Sequence, residues 1–91
     1  MVIVNRILIV EDESSISDFV KGELEYEGYE VCIKEDGREG LEEALNNEYD
    51  LVILDIMLPS MNGFEICRRI KKVKITPIIM LSARDSVMDK V

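Results

Sequence analysis

Three short apolar runs each end on a polar residue, and this pattern constrains the fold more than any other feature of the 91-residue chain. The runs are Ile7-Leu8-Ile9-Val10 before Glu11 and Asp12, Leu51-Val52-Ile53-Leu54 before Asp55, and Ile78-Ile79-Met80-Leu81 before Ser82. Each has strand length and β-branched content, and none alternates in and out. Strands covered on both faces of a parallel sheet look like this. In such sheets the ligand site lies beyond the carboxyl ends of the strands. The chain therefore brings three carboxylates and a hydroxyl toward one point. Packing gives no reason for the gathering. At an effective dielectric of about 20, two unit charges roughly 5 Å apart repel by about 3 kcal/mol. A divalent cation would hold the cluster together.

The segments between the runs read as helices. Ser14 and Ser15 suit an N-cap, and Ile16, Phe19, Val20 and Leu24 are expected on one apolar face. Gly28 is a helix stop. Glu30 to Lys34 reads as a second strand, and Asp36-Gly37 as a turn. A second helix follows, with Leu41, Ala44 and Leu45 inward. A loop rich in turn residues, Leu58 to Gly63, leads to a third helix with Phe64, Cys67, Ile70 and Val73 expected inward. Arg68, Arg69, Lys71 and Lys72 lie near its end, where cations suit the helix dipole. Thr76-Pro77 opens the last run, and residues 83–91 look like the start of a fourth helix. The order β-α-β-α-β-α-β gives one α/β domain, with helices on both faces of a doubly wound parallel sheet.

Composition narrows the function. The net charge of −8 argues against nucleic-acid binding by this domain itself. Histidine is absent, which excludes His-based catalysis and most zinc sites. Cys32 and Cys67 lack metal-ligand spacing and read as small core residues of a reduced, cytoplasmic protein. No run is long enough to cross a membrane, and no signal peptide is apparent.

The donor set fits Mg²⁺, which takes oxygen ligands and usually one or two carboxylates together with phosphate oxygens. Asp12 and Asp55 supply carboxylates, the Met57 backbone carbonyl is a further ligand, and Glu11 can act through a water. Asp55 is also a candidate nucleophile, because aspartate carboxylates form aspartyl-phosphates. Ser82 can donate its hydroxyl to a phosphoryl oxygen.

Three segments carry a resemblance: Ile7 to Glu13 (ILIVEDE), Asp50 to Gly63 (DLVILDIMLPSMNG) and Thr76 to Ala83 (TPIIMLSA). The chain resembles the CheY-like receiver domain of two-component response regulators over essentially its whole length. That resemblance implies a flavodoxin-like fold with strand order 2-1-3-4-5. It implies that Asp55 accepts a phosphoryl group from a phosphohistidine on a sensor histidine kinase, that Glu11 and Asp12 form the acidic pair of the Mg²⁺ site, and that Ser82 takes the Ser/Thr switch position. The intact parent is expected to carry an output domain, which the Ser82 to Ser86 tail hints is DNA-binding. The family's fifth strand, its phosphate-pairing lysine and its fifth helix would fall after Val91. The chain, 1–91, is therefore expected to be a C-terminally incomplete receiver with sheet order 2-1-3-4. Its bared fourth strand is expected to favour self-association.

Two enzyme-like or carrier readings compete. A haloacid-dehalogenase-type phosphatase needs a second Asp two residues after the nucleophile, where this chain has Met57. A flavin carrier needs a hydroxyl- and glycine-rich loop after the first strand, where Glu11-Asp12-Glu13 would repel the flavin phosphate. A third reading is a non-signalling, self-associating module.

Overall fold

The computed structural model describes residues 5–81. Seven elements alternate: β1 (Arg6–Val10), α1 (Ser14–Tyr26), β2 (Glu30–Lys34), α2 (Gly37–Asn46), β3 (Leu51–Asp55), α3 (Gly63–Val73) and β4 (Ile78–Leu81). The strands form one parallel sheet of order β2-β1-β3-β4. This order is the one the receiver resemblance implies for the first four strands, and β1 and β3 are the two central strands.

Central position explains why these two runs show no alternation. Leu8, Val10, Val52 and Leu54 point to one face, where they pack with Leu41, Ala44, Ile66 and Ile70 of α2 and α3. Ile7, Ile9 and Ile53 point to the other, against Val20 and Leu24 of α1. Both faces are apolar because both are covered. The edge strand β4 is only half covered, with Ile79 50% exposed.

Three details of the helices differ from the sequence reading. The N-cap of α1 is Glu13, which makes no side-chain capping bond, and Ser14 is already helical. Phe19 is 66% exposed. The inward line of α1 runs through Ser17, Val20 and Leu24, and Phe19 stands about 200° around the helix from Ser17. In α3 the buried residues are Gly63, Ile66 and Ile70, whereas Phe64 and Val73 are exposed. Asn62 caps this helix by accepting the Phe64 N–H, which fixes its rotation so that Phe64 faces away from the sheet. Of the expected inward set only Ile70 is buried, and Cys67 is half-buried.

The Gly28 stop holds, whereas Asp36-Gly37, read as a turn, opens α2 instead. Gly28 has φ of 101°, a conformation that favours glycine, just after α1 ends. Asp36 caps α2 by accepting the N–H groups of Arg38 and Glu39. Lys74 anchors the end of α3 by donating to the Ala44 carbonyl of α2 and to the Asn47 carbonyl just after it. No helix among the described residues is long and apolar enough to cross a membrane.

Candidate metal and phosphoacceptor site

The site lies at the carboxyl ends of β1 and β3. Glu11 continues the β1 ladder by donating its N–H to the Lys34 carbonyl, so its side chain starts inside the sheet edge. The side chain folds back, and Oε2 accepts the Glu13 N–H at 2.9 Å. Oε1 is buried with no hydrogen-bond partner among the described residues. Burial is the main cause pushing the Glu11 carboxyl above its ordinary proton affinity. The Glu13 N–H pulls the other way, and the charges of Asp55, Asp12 and Glu13 push up further.

Asp55 ends β3 opposite Leu81 of β4 and is as buried as Glu11, each 1% exposed. Its Oδ1 accepts the Met57 N–H at 3.3 Å. Asp12 is exposed at the mouth. Oxygens of Glu11, Asp12 and Asp55 lie within 4.8 Å of one another. An open cavity of about 520 Å³ adjoins them, lined by Asp12 and residues 56–62.

The structure thus brings Glu11, Asp12 and Asp55 together and places Met57 on the wall of the adjoining cavity, with its side chain exposed. Ser82 and residues 83–91, where the start of a fourth helix is expected from sequence, lie outside the described residues. The three carboxylates suit a hard cation: the donors are all oxygen, two are buried, and Glu11 has a buried oxygen with no partner among the described residues.

Backbone contacts hold this geometry. Gly63 N–H donates to the Ile56 carbonyl at 2.8 Å and closes the loop that follows Asp55. A Cβ on Gly63 would lie 2.8 Å from Ile56 Cα and closer still to the Asp55 carbonyl oxygen. A Cβ on Gly40 would lie 2.6 Å from Val10 Cγ1, so α2 rests directly on the residue before Glu11. The sequence identifies these glycines as loop or helix residues. Their close approach to site backbone is a long-range contact without a local signal.

Residues 7–91 match the profile of the response regulator receiver domain. The chain belongs to that family. This receiver domain is 54% identical over 86 residues to the response regulator ArlR of Staphylococcus saprophyticus, an alignment covering 94% of the chain and 39% of ArlR. It thus spans about two fifths of the length of this curated relative. The response regulator TrrA of Thermotoga maritima, crystallised in complex with Mg²⁺-BeF, is 40% identical with a TM-score of 0.84, over 97% of this chain and 77% of that one. TrrA in complex with the histidine kinase ThkA gives 43% identity and a TM-score of 0.81, over 90% and 72% of the two chains.

Proposed function

We propose that this receiver domain accepts a phosphoryl group on Asp55 from the phosphohistidine of a sensor histidine kinase, in a Mg²⁺-dependent reaction that switches an output. The observation that carries the reading is the three-carboxylate cluster at the ends of β1 and β3, two of its members buried. The match to the receiver family and the crystal structures of TrrA with Mg²⁺-BeF and with ThkA support it.

Glu11, Asp12, Asp55 and the Met57 carbonyl would hold the cation. When bound, Mg²⁺ neutralises charge on the carboxylates and on phosphoryl oxygens that they would otherwise repel. Asp55 is the nucleophile. One carboxylate oxygen forms a bond to phosphorus as the phosphorus–nitrogen bond of phosphohistidine breaks, and the electron pair leaves with the imidazole. The Met57 N–H fixes the carboxylate plane through Oδ1. Asp55 is buried, and Asp12 and the 56–62 loop line an open cavity next to the cluster. Ser82 would donate its hydroxyl to a phosphoryl oxygen and so couple the state of Asp55 to the chain after β4. The output, in an intact parent, would be transcription regulation through a DNA-binding domain. Free thiols at Cys32 and Cys67 agree with action in the cytoplasm.

Incubation with a small acyl phosphate and Mg²⁺, followed by peptide mass mapping, tests the assignment. Phosphate should appear on Asp55 alone and be lost in Asp55→Asn. Phosphate on Glu11 or Asp12 would overturn the assigned roles.

A further inference from the structure

The two halves of the acidic site belong to different segments, the end of β1 and the β3–α3 loop, and the first turn of α2 touches both. On the β1 side, Gly40 sits against Val10 so closely that no side chain fits between them. On the loop side, a Cβ on Gly37 would lie 2.8 Å from the Met61 carbonyl oxygen. Between these contacts the Arg38 N–H is shared, reaching Asp36 Oδ2 at 3.0 Å and Ser60 Oγ at 3.2 Å. The Asp36 carboxyl is held below its ordinary range, with the neighbouring Ser60 hydroxyl as the largest cause and the Glu39 N–H next. Neither Ser60 nor Asp36 belongs to the carboxylate cluster. Ser60 stands on the same loop as Met57, three residues along, and both line the cavity beside Asp12.

We infer that Ser60 and Asp36 are positioning residues that clamp the β3–α3 loop to the α2 turn and so set the distance between the Met57 carbonyl and the Glu11–Asp12 pair. The inference rests on the metal-site reading above. Without the clamp the loop keeps its attachments at both ends, through the Ile56 carbonyl to Gly63 N–H and through the cap at Asn62. The fold therefore survives, while the middle of the loop gains freedom. A ligand carbonyl on a loosened loop binds a cation less tightly, because the ordering is then completed at the moment of binding. Mg²⁺ is sensitive to this, since it demands near-ideal octahedral geometry.

Mg²⁺ affinity by calorimetric titration, together with melting in chelator, tests the clamp in Ser60→Ala, Ser60→Thr and Asp12→Ala. Ser60→Ala should weaken Mg²⁺ binding by about tenfold, the lower end of what outer partners of metal ligands contribute. Its metal-free melting should stay within a few degrees of the parent. Ser60→Thr keeps the hydroxyl and should restore binding to within about twofold. Unchanged affinity in Ser60→Ala, with binding lost in Asp12→Ala, would overturn the clamp while leaving the site in place. Weakened binding that Thr fails to restore, or that follows a matching fall in metal-free melting, would overturn it as well. Unchanged binding in Asp12→Ala would remove the metal site itself, and the clamp with it.

Discussion

Replacing Asp55 by asparagine should stabilise the metal-free protein and abolish most of its response to Mg²⁺. Glu11 and Asp55 are each 1% exposed, and their oxygens lie within 4.8 Å. At an effective dielectric of about 20 that separation gives a repulsion of about 3.5 kcal/mol. Asparagine has the same shape and keeps an oxygen to accept the Met57 N–H, so packing and that hydrogen bond survive. Relaxation around the pair reduces the Coulomb figure, and a gain of about 2 kcal/mol is expected. In a domain of this size each kcal/mol shifts the midpoint by about 4–8 °C, so the variant should melt roughly 10 °C higher in chelator. Saturating metal reverses the order. At about 100 times its dissociation constant Mg²⁺ stabilises the parent by roughly 2.7 kcal/mol, whereas the variant has lost a ligand. Melting curves of the two proteins across a Mg²⁺ series should therefore cross. A variant that melts below the parent in chelator would refute the repulsion argument. Equal Mg²⁺ shifts in both would refute the site.

Three further outcomes test the structure. Ile66→Ala should destabilise by about 2–5 kcal/mol and Phe64→Ala by less than about 0.5, measured by urea unfolding, because only Ile66 faces the core. Gly63→Ala should destabilise by about 1–3 kcal/mol and also weaken the Mg²⁺-induced shift, because its Cβ meets the Asp55–Ile56 backbone. The Asp36 carboxyl is held below its ordinary range by Ser60 and then by the Glu39 and Arg38 N–H groups, so its contribution is complete above the usual carboxyl pKa and fades as pH falls through the lowered value. Asp36→Ala should accordingly melt below the parent at neutral pH, with the gap closing in strong acid.

What the sequence reveals here follows from whether the signal is local. The runs in β1 and β3 could be read because two-faced burial removes alternation, and that property belongs to the run itself. The order β2-β1-β3-β4 came from the family resemblance, while the carboxylate cluster followed from a general rule about strand ends that needs no side-chain geometry. The orientation of α3 did not follow. Its apolar residues, Phe64, Ile66, Cys67, Ile70 and Val73, outnumber the places available on one face, and periodicity alone admits more than one stripe. Rotation is decided by the Asn62 cap and by Gly63 lying against Asp55, contacts that exist only once the loop has closed. The same holds for Ser60 and Asp36, 24 positions apart in the chain by their residue numbers. Each reads locally as a turn residue. Their meeting depends on α2 having crossed the sheet to lie beside the β3–α3 loop. Chemistry carried at strand ends is thus visible from composition and order, because the sheet delivers it there whatever the details. The groups that set distances inside the site are visible only in three dimensions, because their partners are chosen by the crossover.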